Sequence, residues 1–166
     1  REIARRFNYM YSPVFPEPQA KLSKVAVLPG TDGRKMSKSY GNTIQIADPP
    51  EKIRESVKSM VTDPARIHKS DPGHPDVCTV FAYQSAFTPE TADGRRGECE
   101  GATIGCVACK RQLADTLISV LAPIHERRRQ LEATPGLIDS IIADGAMRAR
   151  PLAARTLEEV RSAMKI

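Results

Sequence analysis

The strongest constraint on the fold is a long stretch of regular hydrophobic spacing in the second half of the chain. Between residues 110 and 131, apolar side chains recur mostly at helical intervals, at Leu113, Leu117, Val120, Leu121, Ile124 and Leu131. That spacing puts them on one stripe of an α-helix, which must be buried against other apolar faces. The chain is therefore predicted to be mainly α-helical.

Further helices are predicted on both sides of this segment. Residues 1–8 have the apolar spacing of a helix end. Another helix is expected to start at an N-cap Asp48, with prolines in its first turn and Glu51 completing a capping box. Its buried face would carry Ile53, Val57, Met60 and Val61. Two separate helices are predicted at residues 135–148 and 151–164, the second starting at Pro151. Their inward faces would carry Leu137, Ile138, Ile141 and Ile142 in the first and Leu157, Val160 and Met164 in the second.

The middle of the chain is less regular. Residues 77–87 form a second apolar segment, with Val80, Phe81 and Phe87 as core candidates. The glycines that follow, Gly94, Gly97, Gly101 and Gly105, predict a loop.

One short apolar run, Val-Ala-Val-Leu at residues 25–28, predicts a buried strand that ends at Pro29-Gly30. A single strand cannot form a sheet, so its partners are expected outside this chain. The first residue is Arg1 rather than Met, which agrees with a fragment of something longer.

The composition favours a globular protein with a polyanionic partner. The net charge is +5 and the isoelectric point is near 9.2, which favours nucleotides or RNA but discriminates weakly. No apolar run is long enough to span a bilayer, and the first residues lack a secretory signal. A cytoplasmic location is expected.

A polar loop follows the predicted strand and carries Lys35 and Lys38 between the hydroxyls of Ser37 and Ser39. Two ammonium groups with neighbouring donors can surround a polyphosphate and stabilise the charge that develops on a leaving pyrophosphate. The alternative for an isolated pair of lysines is a solvated basic turn.

The pentapeptide KMSKS at residues 35–39 is identical to the second signature of the class I aminoacyl-tRNA synthetases. The flanking LPGTDGR and YGN, together with residues 59–66 and 156–164, resemble the bacterial tryptophanyl-tRNA synthetases. The resemblance covers nearly the whole chain. It implies that residues 1–43 are the end of a Rossmann-like nucleotide-binding catalytic domain, and that residues 44–166 are a helical anticodon-binding domain.

The resemblance also implies a reaction, in which tryptophan is activated with ATP and Mg²⁺ and then transferred to tRNA(Trp). Lys35 and Lys38 would be catalytic and hold the phosphates. Nucleotide-binding residues would be Ala26, Val27, Met36, Ser37 and Ser39. The histidine signature of the family has no counterpart here, so His68, His74 and His125 are expected to be surface or capping residues.

This chain alone is therefore expected to be inactive, and the intact enzyme to be a homodimer. The alternatives are a tyrosyl-tRNA synthetase fragment, and a free-standing helical module that binds RNA or an iron-sulfur cluster.

Four cysteines, Cys78, Cys99, Cys106 and Cys109, have the spacing C-x20-C-x6-C-x2-C. A metal centre is predicted, because the expected compartment disfavours disulfides and there is no strand-helix-strand context for a redox pair. Zinc is usually bound by two pairs of cysteines that are close in sequence, whereas a cubane cluster accepts ligands that are farther apart in sequence. The resemblance favours [4Fe-4S], since some bacterial tryptophanyl enzymes carry such a site; zinc or a vacant site remains open.

Several cations lie beside the cysteines. Because the resemblance implies an anticodon-binding domain, Arg95, Arg96, Lys110 and Arg111 are candidates for tRNA contacts, with a solvated basic rim as the alternative. Residues 127–129 are expected to be a solvated helix face.

Overall fold

The computed structural model describes residues 1–22, 25 and 27–166. Its six α-helices are α1 (Glu2–Met10), α2 (Pro50–Ser59), α3 (Thr79–Phe87), α4 (Ala92–Glu100), α5 (Cys106–Glu132) and α6 (Leu137–Met164). Single 3₁₀ turns lie at Lys38–Tyr40, Pro75–Val77 and Pro89–Thr91. The predicted mainly α fold is confirmed. None of the helices in this described part is long and apolar enough to cross a membrane.

The chain forms two compact units. The terminal unit contains Arg1–Leu22 and Arg129–Ile166, and the central unit contains Ser23–Arg128. Helix α5 belongs mostly to the central unit and ends in the terminal one. The expected functional boundary at residues 43 and 44 lies inside the central unit and stays a prediction.

Helices α2, α3 and α5 build the core of the central unit. Its buried members are Ile53, Val57, Met60, Val80, Tyr83, Leu113, Ala114 and Leu117. Burying one large aliphatic side chain contributes about 1.5–3 kcal/mol. The predicted stripe is correct for Leu113, Leu117 and Leu121, which lie in or against the core. It is wrong for Val120 and Ile124, which are 44% and 47% exposed. Val61 is also exposed, against the prediction.

The predicted buried strand is not formed by the residues that the structure describes. Val25, Val27 and Leu28 are in no strand, and Val27 is 75% exposed; Ala26 lies outside the described residues. In this part of the chain the sheet-like pairing is limited to one antiparallel bridge between Pro29 and Lys35. An apolar run without a neighbouring strand has no ladder to join, and Leu28 packs against the helical core instead.

The predicted capping box of α2 is wrong. Pro49 occupies the N-cap and the helix has no side-chain cap. The Asp48 carboxylate instead accepts hydrogen bonds from the Gln45 N–H and the Lys52 ammonium, both at 2.8 Å. Asp48 therefore closes the preceding turn.

The glycine-rich stretch is a helix, α4, rather than the predicted loop, and only residues 101–105 form a connecting turn. A glycine in a helix interior costs about 1 kcal/mol relative to alanine. Side-chain pairs along α4 offset this cost, between Arg95 and Glu98 at 2.5 Å and between Arg96 and Glu100 at 3.3 Å. Arg96 also lies 4.9 Å from the ring centre of Phe81 in α3.

The two predicted C-terminal helices are one continuous helix, α6, with Pro151 inside it. Proline removes a backbone donor and disfavours helix interiors, but a helix of 28 residues retains its other backbone bonds. Several residues predicted to face inward are exposed, among them Ile138, Ile141, Ile142 and Leu157.

Candidate functional site

The basic loop, residues 29–42, is organised around one buried amide. Asn42 is 2% exposed. Its Nδ2 donates to Asp32 Oδ1 at 2.8 Å and to the Lys35 carbonyl at 3.1 Å, and its Oδ1 accepts from the Ser37 N–H at 2.8 Å. A single side chain thus fixes the backbone at Lys35 and Ser37, between the two lysines.

Glycine is required where the loop crosses Asn42. A Cβ at Gly30 would lie 2.2 Å from Asn42 Nδ2 and 2.4 Å from its Cγ. Gly33 and Gly41 have φ of +79° and +66°, a backbone region that favours glycine. These positions let the chain reverse twice within a short loop.

Two contacts attach the loop to the helical core. The hydroxyl of Tyr83 in α3 donates to the Pro29 carbonyl at 2.8 Å, and burial raises the pKa of this phenol. The Val61 N–H donates to the Thr31 carbonyl at 2.8 Å. The loop therefore has a fixed base on α3 and on the segment after α2.

The two predicted catalytic lysines lie on the exposed side of this loop. Both Lys35 and Lys38 are exposed, and within the described residues neither ammonium takes part in an ion pair or hydrogen bond. Ser37 Oγ and Ser39 Oγ are 2.8 Å apart. Met36 packs against the core. Within the described part of the chain, the loop thus presents two unpaired cations and two paired hydroxyls on one short segment.

The remaining charge in the loop is internally paired. Arg34 Nη2 is 2.7 Å from Asp32 Oδ2, and the guanidinium lies 4.9 Å from the ring centre of Tyr40. The hydrogen bond from Asn42 lowers the pKa of Asp32 to about 2, opposed by burial and assisted by Arg34. Asp32 and Arg34 therefore stabilise the conformation of the loop, whereas the two lysines do not take part in these contacts.

The four cysteines form the second candidate region, the cysteine centre. Cys78 is the N-cap residue of α3, Cys99 lies in the last turn of α4, and Cys106 and Cys109 lie in the first turn of α5. All four are free thiols and half-buried. The fold thus brings the predicted ligands together from three helix ends.

The thiols are near enough to influence one another. Burial raises the pKa of Cys109 to about 11, while a hydrogen bond from its sulfur to Gln84 and the charge of Arg95 oppose that rise. Burial likewise raises the pKa of Cys99, with Arg66 acting in the opposite direction. The charges of Cys78 and Cys99 add to the rise at Cys109, and those of Cys78 and Cys106 to the rise at Cys99.

This centre fits an iron-sulfur cluster by the chemistry of its donors, since four cysteine sulfurs are the usual ligands of [4Fe-4S]. Two further features fit a bound group. Arg66 Nε is buried without a partner among the described atoms, and a Cβ at Gly73 would come within 2.4 Å of Cys99 Sγ. Among the described residues, no three His, Cys, Asp or Glu side chains are arranged for a single metal ion.

The candidate tRNA cations divide into two pairs. Arg95 and Arg96 are held in ion pairs, Arg96 also with Asp76 at 2.6 Å. Lys110 and Arg111 line a cleft of about 540 Å³ with Arg54 and Lys58. In this cleft the Lys110 ammonium donates to the Lys58 carbonyl at 2.8 Å. The second pair therefore lies on the more accessible basic surface.

None of the three histidines contacts Lys35 or Lys38 within the described residues. His74 Nδ1 is 2.8 Å from Asp63 Oδ2, and His125 Nε2 is 2.8 Å from the Ile46 carbonyl. The His68 N–H donates to Asp71. Each of these hydrogen bonds stabilises a turn or a connection between helices.

Sequence reasoning missed the residues that support both regions, namely Asn42 and Tyr83 at the loop and Arg66, Gly73 and Gln84 at the cysteines. Asn42 lies just after the lysine motif, but nothing in the local sequence shows that its side chain is buried. The others are separated in sequence from the groups they contact, so no local pattern points to them.

The chain matches the family of tRNA synthetases class I (W and Y) over residues 1–122. It is 49% identical to the tryptophan–tRNA ligase of Thermotoga maritima and 46% identical to that of Aquifex aeolicus. Both matches cover 100% of this chain but only 51% and 42% of those relatives. The chain thus spans about half the length of the curated relatives it matches.

Solved structures of tryptophanyl-tRNA synthetases also resemble this chain. A tryptophanyl-tRNA synthetase from Campylobacter jejuni, complexed with ADP and tryptophan, matches with a TM-score of 0.77 and 27% identity. The match covers 100% of this chain and 52% of that one. The tryptophanyl-tRNA synthetase of Aeropyrum pernix matches over 77% of this chain and 35% of its own, with a TM-score of 0.59 and 29% identity.

Proposed function

The chain belongs to the class I tRNA synthetases of the tryptophan and tyrosine type, and on that premise we propose that it is the C-terminal part of a tryptophan–tRNA ligase. In the reaction, the tryptophan carboxylate attacks the α-phosphorus of ATP, the bond to the bridging oxygen breaks, and pyrophosphate leaves. A ribose hydroxyl at the tRNA 3′ end then attacks the activated carbonyl carbon, and AMP leaves.

The observation that carries the proposal is the pair of lysine ammonium groups on the fixed loop, which have no partner among the residues that the structure describes. Lys35 and Lys38 would stabilise the negative charge that develops on pyrophosphate, and Mg²⁺ would supply further charge to the phosphates. Preorganisation by Asn42 and Tyr83 supports this role, because donors already in position need no reorganisation during the reaction. Ser37, Ser39 and Met36, with Ala26 and Val27, would complete the nucleotide contacts.

We assign the remaining half of the active site to residues beyond this chain, because the relatives are about twice as long. The histidine signature and the tryptophan pocket would come from there. The intact enzyme would be a cytoplasmic homodimer, and the division at residues 43 and 44 would separate its nucleotide-binding and tRNA-binding parts.

The cysteine centre would hold a [4Fe-4S] cluster and join α3, α4 and α5. The cations on that side would contact tRNA(Trp), with Lys110 and Arg111 better placed than the paired Arg95 and Arg96. Replacing Lys110 and Arg111 together by alanine should weaken tRNA binding and flatten its dependence on salt. Unchanged affinity and salt slope would remove these residues from the tRNA site.

The direct test of function is amino-acid-dependent exchange of labelled pyrophosphate into ATP by a complete ligase that contains this chain. Exchange should require tryptophan, and tyrosine should not replace it. The 166-residue chain alone should give no exchange. Exchange with tyrosine but not tryptophan would favour the tyrosyl enzyme and contradict the proposal.

A further inference from the structure

Arg66 lies against the cysteine centre in a fixed orientation. Its Nη2 donates to the carbonyls of Lys69 and Ile104, both at 2.8 Å, so two backbone groups set the position of the guanidinium. Its Nη1 lies 3.8 Å from Cys99 Sγ as a hydrogen-bond donor. Within the described residues, Cys99 Sγ is thus the one side-chain atom that hydrogen-bonds to this arginine.

The third nitrogen of Arg66 is unusual. Its Nε is buried and has no partner among the described atoms. A buried donor without a partner costs about 1–3 kcal/mol, and more when the group is charged. A cation at this place is expected when a negative group lies beside it, and four cysteines that ligate a cluster as thiolates would provide such a group.

Gly73 also lies against Cys99. The Gly73 N–H donates to the Cys99 carbonyl at 3.0 Å. A Cβ at position 73 would lie 2.4 Å from Cys99 Sγ and 3.4 Å from Arg66 Cδ. The sulfur therefore lies next to both residues and has little room to turn.

We propose that Arg66 is a positioning residue for the cysteine centre, whose guanidinium orients Cys99 and offsets the negative charge of a cluster bound by the four cysteines. This inference rests on the proposed cluster. Hydrogen-bonding partners of ligands commonly change metal affinity by about 10–100-fold. Charge and hydrogen bonds at the sulfurs also set a cluster's reduction potential, and a nearby cation stabilises the more negative, reduced form.

The test uses the protein reconstituted anaerobically with iron and sulfide, as wild type, Arg66→Met and Arg66→Lys. Arg66→Met should release iron to a chelator about 10–100-fold faster than wild type and have a more negative reduction potential. Arg66→Lys keeps the charge but lacks the planar fork that reaches two carbonyls and a sulfur. It should therefore have a potential near that of wild type while still losing iron quickly.

Arg54→Met is the matched control, because Arg54 pairs with Asp115 at 2.7 Å on an exposed surface. It should match wild type in both measurements. Circular dichroism would establish that each variant is folded; if Arg66→Met is not, Arg66→Gln replaces it as the neutral variant.

Two results would overturn the inference, and they differ in scope. Wild-type protein that takes up no iron and sulfide would reject the proposed cluster together with the role of Arg66. A loaded wild type whose neutral Arg66 variant has the same potential and the same rate of iron loss would reject only the role of Arg66.

Discussion

The basic loop and the cysteine centre prepare their functional groups in opposite ways. The loop is built mainly from contacts within residues 29–42, and its two lysines are left without partners in the described structure. The cysteine centre takes four thiols from three helix ends and surrounds them with residues as distant in sequence as Arg66. One region presents charge to solvent, whereas the other encloses groups that repel one another once ionised.

This difference predicts that the two regions fail separately. A phosphate-binding loop needs a fixed backbone and accessible cations. Substituting its lysines should therefore lower the catalytic rate without unfolding the protein. A ligand centre at helix ends should lose structure with its ligand, because metal binding and folding are coupled. Substitutions in one region should therefore leave the measurements of the other almost unchanged.

The largest effect is expected from removing one ligand of the cysteine centre. Cys106→Ala should abolish cluster binding, because a [4Fe-4S] cluster uses four cysteine ligands. Iron and acid-labile sulfide should fall from stoichiometric amounts to near background after anaerobic reconstitution. Stoichiometric iron and sulfide in Cys106→Ala would show that Cys106 is not a ligand.

The next effect is expected at the loop. Lys38→Ala in the complete ligase should slow adenylate formation by about 100–1,000-fold, the usual loss on removing one charge-stabilising donor. Tryptophan binding should be nearly unchanged, since the lysine would act on phosphate. Single-turnover kinetics and equilibrium titration measure the two effects. Lys21→Ala, another exposed lysine, is the control; equal losses in rate and in tryptophan affinity would contradict the role.

A pair of glycines allows both regions to be tested by the same change. Gly30→Ala would press on Asn42 and Gly73→Ala on Cys99, each at 2.4 Å or less, and strain of this kind costs about 1–3 kcal/mol. Gly30→Ala should slow adenylate formation and leave iron content unchanged, while Gly73→Ala should do the reverse.

Gly30→Ala also tests whether positions 30 and 42 are energetically coupled within the loop. In an Asn42→Ala background the amide atoms that Gly30→Ala would meet are absent, so the added cost of Gly30→Ala should be smaller. Chemical denaturation of the four proteins in this cycle measures the coupling. Additive free energies of unfolding would mean that Asn42 does not limit position 30.

The separation between local and distant contacts also explains what the sequence could predict. The lysines and hydroxyls of the loop were predicted because they form one short motif, and the helical core because Leu113 and Leu117 follow the helical repeat. The four cysteines were predicted as a group from their spacing. Arg66 and Gly73 were not, because their contacts with Cys99 depend on how the segment between α2 and α3 packs against α4.

The wrong predictions share a physical cause, since each relied on a local preference that other contacts override. The glycines of α4 predicted a loop, but ion pairs of Arg95 and Arg96 and the ring of Phe81 favour a helix. Pro151 predicted a helix start, yet α6 continues through it. The apolar run at residues 25–28 predicted a strand, and a strand needs a neighbour that the described residues do not supply.

A smaller effect is expected where the loop joins the core. Tyr83→Phe removes the hydrogen bond to the Pro29 carbonyl and keeps the buried ring. The free energy of unfolding should fall by about 1 kcal/mol, and cluster content should not change. Tyr40→Phe is the control, because Tyr40 is 59% exposed. A Tyr83→Phe protein as stable as wild type would mean that this bond does not stabilise the fold.

The smallest effect is expected at Asp32 and depends on pH. Its pKa is about 2 in the folded chain against an ordinary 3.8, so the ionised carboxylate stabilises the fold above the ordinary pKa. That contribution is lost as the pH falls from about 4 towards 2. Asp32→Asn should therefore be less stable than wild type at about pH 6, and the difference should shrink as the pH falls through that range. A difference in unfolding free energy that stays constant down to about pH 2 would mean that the bonds from Asn42 and Arg34 do not favour the ionised form.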